Sequence, residues 1–307
     1  MRLATFRHDG RTRTGIVDGD LVRPFTGDPD MLEIIGTGPD GRDTAPAVPL
    51  ASVRLLAPLR PRSIRDFVAF EEHVEGVRRS IDGASGVPEA WYAAPTFYFT
   101  NPHTVLGPDD EVPFPAASVA RDFELEVAAI IGPDQRIFGY TIFNDWSARD
   151  LQSREMKVSL GPAKGKDFAG TLGPWIVTAD ELESRRKAGF LDLWCTATVN
   201  GAEVGRDLLS NMGWTFETML AYAARDSRVV AGDVLGSGTV GNGGCLAELW
   251  GRNGKQDPPP LRDGDVVTLT VEGIGSLTNT VISGQPAGEL EKVRRRDPAA
   301  ARNERQH

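Results

Sequence analysis

The sequence predicts an α+β, β-rich protein, with a small N-terminal β domain over residues 1–58, a larger mixed domain over 59–284 and a charged tail over 285–307. Three observations carry this expectation. Short apolar runs stop at turn signals such as Asp18-Gly19 and Asn200-Gly201, dipeptides that favour hairpins. Strand-like runs outnumber helical ones. Their spacing also lacks the repeating βαβ rhythm of a doubly wound sheet.

Taken in order, Gly15 to Val22 reads as a hairpin around Asp18-Gly19, and the Gly-, Pro- and Asp-rich stretch from Gly36 to Pro49 reads as a loop. Phe123 to Ile131 is a strand apolar enough to be central. Ile137 to Phe143 is another, running into Asn144-Asp145. Trp146 to Gln152 looks helical; at about 100° per residue Asp145, Arg149 and Gln152 share one stripe. Leu191 to Val199 alternates before Asn200-Gly201. Phe216, Met219, Leu220 and Ala223 trace one helix face, while Val229–Leu235, Ala247–Trp250 and Asp265–Val271 read as strands. Beyond Gly284 the chain turns to Glu, Lys, Arg and Ala, the composition of a frayed or weakly helical tail.

With 307 residues, 40% hydrophobic and 25% charged, the chain can bury a substantial core. No apolar run approaches the roughly 20 residues that span a membrane, and the N-terminus lacks a signal-peptide core, so the expected location is the cytoplasm. Cys195 and Cys245 lack CxxC spacing and support neither a disulfide framework nor a zinc site. A net charge of −9 argues against nucleic acid as a partner.

Chemistry concentrates in Asp122-Phe123-Glu124-Leu125-Glu126-Val127. Side chains alternate along a strand, so Glu124 and Glu126 project to one side about 7 Å apart, and Phe123, Leu125 and Val127 to the other. Two buried like charges at that separation repel by about 2 kcal/mol even at an effective dielectric of 20. A positive group between them is therefore expected, unless the strand keeps a wet polar face. Glu124, Glu126 and Asp145 suit a hard divalent cation better than zinc, because no His or Cys lies near them in sequence. His73 is one of four histidines. Beside Glu71, Glu72 and Glu75 it could be an exposed helix residue; as an imidazole titrating near neutrality it could equally be a general base.

Glu124-Leu125-Glu126, Phe138-Gly139-Tyr140-Thr141, Asn144 to Gln152 and Leu160 to Phe168 together resemble the fumarylacetoacetate hydrolase family, over roughly residues 60 to 283. The resemblance implies a mixed β-sandwich or β-roll whose mouth holds a divalent cation, Mg²⁺ first and Mn²⁺ or Ca²⁺ as alternatives. Asp66, seven residues before His73, becomes the fourth ligand beside Glu124, Glu126 and Asp145. The family's smaller branch has Asn-Tyr-x-x-His instead; Ala69 and Phe70 stand at those positions here. By the same resemblance His73 is the base and Glu248, in Cys245-Leu246-Ala247-Glu248, orients it. Arg149, Gln152 and Lys166 stabilise developing negative charge, and Tyr98 and Thr239 contact substrate. The implied reaction is hydrolysis of a carbon–carbon bond in a 1,3-diketone or acylpyruvate-like keto acid by a homodimer. Decarboxylation or isomerisation of a 2-oxo acid is the alternative, and a metal-stabilised binding protein a more remote one. Val68, and Met156 or Lys157, replace family tyrosines, which implies a more apolar pocket. Ile81 to Ala94 lacks the family's carboxylate-binding Arg and is expected to be a mobile lid.

Overall fold

Hairpins open the chain, as the turn signals require. Arg2–His8 (β1), Arg11–Asp18 (β2) and Leu21–Pro24 (β3) form a meander in this computed structural model, which describes residues 1–295. Gly19, at φ +58°, closes the β2–β3 turn between paired Asp18 and Leu21. Asp30 then accepts the Glu33 N–H at 2.7 Å and caps Met31–Thr37 (α1), so helix takes the first two residues of the expected loop.

The larger region supplies Ile64–Phe67 (β4), Glu71–Asp82 (α2), Phe97–Thr100 (β5), Glu111–Phe114 (β6), Leu125–Ile131 (β7) and Ile137–Asn144 (β8). Arg149–Met156 (α3), Gly170–Thr178 (β9), Trp194–Val199 (β10), Ala202–Leu208 (β11) and Phe216–Ala224 (α4) follow. Val234–Gly236 (β12), Leu246–Asn253 (α5), Val266–Val271 (β13) and Gly275–Ser283 (β14) complete the set used below. One sheet runs β3-β2-β1-β9-β8-β7-β12-β4-β5, and a second runs β11-β10-β13-β14-β6. The β-rich α+β class is as expected.

The larger sheet crosses the boundary at residue 58, because Arg2 pairs with Val177 of β9. Leu3, Phe25, Ile34 and Ile35 accordingly share one core with Ile64, Ala128, Ile130 and Phe143. Strand β7 is buried on both faces. Leu125, Val127, Ala129 and Ile131 join the main core, and Ala128 and Ile130 the other. Each large apolar side chain so buried contributes about 1.5–3 kcal/mol, and that burial anchors a strand that carries Glu126 and directly follows Glu124.

Three elements differ from expectation; of Val229–Leu235 only Val234 and Leu235 are extended, in β12. Ala247–Trp250 is helix, not strand: Cys245 Sγ accepts the Glu248 N–H at 3.4 Å and starts α5. A four-residue stretch is too short for its pattern to distinguish a strand from one buried helical turn. The helix expected from Trp146 begins only at Arg149, because Ser147 and Ala148 pair with Asp122 and Arg121. Asp145 therefore follows the end of β8 and shares no helical stripe with Arg149 and Gln152. Residues 285–295 form no regular element; the rest of the expected tail lies outside the described residues. Among the described residues no helix is long and apolar enough to cross a membrane.

Candidate active site

Neighbouring strands of the larger sheet converge at one end. Register places Asp66 of β4 opposite Gly236 of β12 on one side and Tyr98 of β5 on the other. Leu125 lies opposite Asn144, which brings Glu124 and Glu126 beside Asp145. Oxygen atoms of Asp66, Glu124, Glu126 and Asp145 all lie within 4.8 Å of one another, and all four residues are buried. Gly236 makes room for them. A Cβ there would sit 2.6 Å from Asp66 Oδ1 and 2.8 Å from Glu126 Oε2. Gly238, at φ +77°, turns its N–H onto Glu126 Oε2 at 3.2 Å.

Four acids cannot all stay ionised there unaided. Burial first, then mutual repulsion, pushes Asp66 and Glu126 well above the usual carboxylate range; burial also raises Asp145 against the pull of Lys166. Glu124 goes the other way: burial is outweighed by Lys166 and Arg149, which hold it well below that range. Lys166 Nζ bridges Glu124 and Asp145, the latter at 2.6 Å, so the positive group expected between Glu124 and Glu126 instead joins Glu124 to Asp145. Asp66 Oδ1, Glu126 Oε1 and Asp145 Oδ1 remain buried without a hydrogen-bond partner. An unpartnered buried oxygen is costly, and three aimed into one all-oxygen cluster fit a hard divalent cation. Asp66, Glu124, Glu126 and Asp145 are the residues that could hold it.

His73 lies on the first turn of α2 and is buried, not exposed. Burial chiefly, with Arg149 and Lys166 adding to it against Glu124, lowers its pKa to about 4, leaving a neutral ring at pH 7. Nε2 lies 3.8 Å from Glu124 Oε1 and Nδ1 lies 3.6 Å from Cys245 Sγ. The expected His73–Glu248 contact is not formed. Helices α2 and α5 cross closely at Gly76 and Gly251; a Cβ on Gly76 would meet Glu248 Cγ at 2.5 Å. That crossing places Glu248 under Gly76, three residues or about 4.5 Å further along α2 than His73. Its carboxylate instead lies 2.6 Å from Arg252 Nη2.

Arg149 Nη2 reaches Glu124 Oε1 at 2.7 Å, and Gln152 accepts from Arg149 Nη1 at 3.1 Å. Tyr98 donates its hydroxyl to Asp145 Oδ2, and Thr239 Oγ1 is buried without a partner. Half-buried Val68 accepts the Trp91 indole N–H at its carbonyl, 2.6 Å away. The Ile81–Ala94 segment is tied down at that Trp91 and by Arg78, which donates to the Gly86 carbonyl.

Sequence reasoning assigned no role to two residues that the structure brings into the site. Asp122 is wholly buried. Oδ1 accepts the Leu246 N–H at 2.7 Å, while Oδ2 accepts the Ala247 N–H at 3.0 Å and Arg149 Nε at 2.8 Å, joining Arg149 to the start of α5. Strand alternation was the available signal, since Asp122 has the parity of Glu124 and Glu126. Cys245, 172 positions from His73, carried no signal at all.

The profile described as "Fumarylacetoacetate (FAA) hydrolase C-terminal" matches residues 62–282. The chain belongs to the fumarylacetoacetate hydrolase family. Residues 1–58 match a second profile, "Rv2993c-like, N-terminal". A fumarylacetoacetase of Oryza sativa subsp. japonica is 28% identical over 312 residues, covering 78% of this chain and 72% of its own. A fumarylacetoacetate hydrolase structure from Exiguobacterium antarcticum superposes with a TM-score of 0.71 at 28% identity, over 93% of this chain and all of its own. A 5-carboxymethyl-2-hydroxymuconate delta-isomerase from Mycobacterium smegmatis gives a TM-score of 0.68 at 26% identity, over 92% of this chain and all of its own. Two neighbours at 22% and 23% identity share the fold. One, a 2-keto-3-deoxy-D-arabinonate dehydratase, was solved with magnesium; the other, a maleylpyruvate hydrolase of Sphingobium sp. SYK-6, with manganese(II) and pyruvate.

Proposed function

We propose that this member of the family is a divalent-cation-dependent hydrolase that cleaves a carbon–carbon bond in a 1,3-diketone or acylpyruvate-like acid. The observation that carries the reading is a neutral, buried imidazole beside an all-oxygen carboxylate cluster with three unpartnered oxygens. When bound to Asp66, Glu124, Glu126 and Asp145, a cation such as Mg²⁺, or Mn²⁺ or Ca²⁺, supplies a Lewis acid that polarises a substrate carbonyl and offsets enolate charge.

The chain's own groups do the rest. His73 takes a proton from water as the oxygen bonds to the acyl carbon, the carbon–carbon bond breaks, and the proton passes to the departing carbon. Glu248 steadies the imidazolium by turning from Arg252 to His73. Arg149, positioned by Gln152 and Asp122, and Lys166 face the oxyanion. Tyr98 and Thr239 contact the substrate, whose acyl end meets Val68 and is correspondingly apolar.

Isomerisation or decarboxylation of a 2-oxo acid is the second reading, favoured by the similar identity and fold of the muconate isomerase. Isotope labelling separates them. Mg²⁺-loaded protein is incubated in ¹⁸O-water with acylpyruvates, fumarylacetoacetate and oxaloacetate, and the products are weighed by mass spectrometry. Hydrolysis places one ¹⁸O in the released acid. Release of CO₂ from oxaloacetate, or isomerisation at unchanged mass, with no labelled acid from any substrate, would replace the hydrolase by the second reading.

A further inference from the structure

Beside the oxygen cluster lies a second group of donors of different chemistry. Atoms of His73, Glu124 and Cys245 lie within 4.8 Å of one another, and all three residues are buried. Nitrogen, sulfur and one carboxylate oxygen are the donors that borderline-soft cations select, whereas Mg²⁺ takes oxygen. The absence of CxxC spacing, which argued against zinc, does not apply to ligands brought together by the fold.

The separation fits as well. A tetrahedral zinc at about 2.3 Å from sulfur and 2.0–2.1 Å from nitrogen holds its two ligands about 3.5 Å apart. His73 Nδ1 and Cys245 Sγ stand 3.6 Å apart. In the metal-free protein a thiol–imidazole hydrogen bond occupies that distance, so an ion can replace the shared proton with little movement of these two ligands, while Glu124 Oε1, 3.8 Å from Nε2 of the same ring, has to approach. Cys245 also heads α5, where the Glu248 N–H points at Sγ from 3.4 Å, but burial and then Asp122 push the Cys245 thiol well above its usual range, so the ion itself has to displace the proton. Arg149 opposes binding, since Glu124 Oε1 must loosen from its guanidinium, 2.7 Å away.

We propose that His73, Cys245 and Glu124 form a second cation site, selective for Zn²⁺ over Mg²⁺, that fills while the four-carboxylate cluster keeps its hard cation and thereby switches the centre off. Binding releases the Cys245 proton to solvent; the thiolate offsets one of the two positive charges, Glu124 is shared between the two ions, and water completes the tetrahedron. Occupancy stands independently of the reaction proposed above. Inhibition rests on it, because the ion takes the lone pair that His73 would use as a base.

The test titrates Mg²⁺-saturated, full-length protein with Zn²⁺, following both metals by equilibrium dialysis, and with Co²⁺, following the thiolate-to-cobalt charge-transfer band. Expected are one Zn²⁺ gained per chain with Mg²⁺ retained, and the charge-transfer band with Co²⁺. Cys245→Ser, which keeps a good helix cap, should lose the band and bind Zn²⁺ about tenfold or more weakly with Mg²⁺ affinity unchanged. His73→Ala should weaken Zn²⁺ similarly. Mole-for-mole loss of Mg²⁺, absence of the band, or undiminished Zn²⁺ affinity in Cys245→Ser would each overturn the site. Zinc binding with full turnover would support the site and remove His73 from the proposed reaction.

Discussion

Replacing Glu248 by Gln should make the protein more stable and less active. The Glu248 side chain is fully enclosed, and burial, only partly countered by Arg252, raises its pKa from 4.5 to about 7. A carboxyl whose folded pKa is raised contributes stability that is complete below the unfolded pKa and is lost as pH rises through the folded one. Here the window runs from about pH 4.5 to just above pH 7. A shift of that size is worth about 3 kcal/mol in full, of which roughly 2.5 kcal/mol is lost between pH 5 and pH 8. Glutamine keeps the shape and does not titrate. Urea melts of both proteins in excess Mg²⁺ at pH 5, 6, 7 and 8 cancel the titration of the metal ligands, because only the difference between the proteins is read. That difference should grow with pH in favour of the variant by about 2–3 kcal/mol, while kcat falls at pH 8. A difference that stays flat with pH would mean that Glu248 is ionised cheaply, through Arg252 or water, and would refute the reasoning. Unchanged kcat would remove Glu248 from the reaction.

Exhaustive EDTA treatment should lower the melting temperature and abolish turnover; at 100 times the dissociation constant the cation contributes about 2.7 kcal/mol to the folded state. Glu126→Gln should erase that metal-dependent increment without unfolding the metal-free protein, since it removes one of four repelling acids, and a variant with full metal occupancy would contradict the ligand assignment. His73→Ala should retain the hard cation and bind substrate analogues while kcat falls by about 10²-fold or more; altered analogue affinity with intact kcat would make His73 a pocket residue. Gly76→Ala should cost at least about 1–3 kcal/mol by forcing a methyl against Glu248 Cγ and separating α2 from α5, and a denaturation midpoint equal to that of the parent would show that the helices yield freely.

What could be read from the chain before folding was whatever depends on local periodicity. Alternation placed Glu124 and Glu126 on one face, and the sheet does bury them together. The hairpins at Asp18-Gly19 and Asn200-Gly201 follow from turn stereochemistry. The misreadings fell where tertiary pairing overrides local pattern. Ser147 and Ala148 are extended because Asp122 and Arg121 lie beside them, and that contact spans more than 20 residues. Ala247–Trp250 is helical because Cys245 and Asp122 satisfy the first N–H groups of α5. The direction of Glu248 depends on two glycines, Gly76 and Gly251, whose meeting no local window contains.

Asp122 also bears on how such a centre can change over generations. Its one carboxylate fixes Arg149 through Nε and the head of the helix bearing Cys245 and Glu248 through two backbone N–H groups. Arg149 and the head of α5 therefore cannot drift independently, since a substitution at Asp122 would displace both. Half-buried Val68, and Met156 and Lys157 at the end of α3, carry no such joint duty. Those positions can change one substitution at a time, while Arg149 and the head of α5 are inherited together.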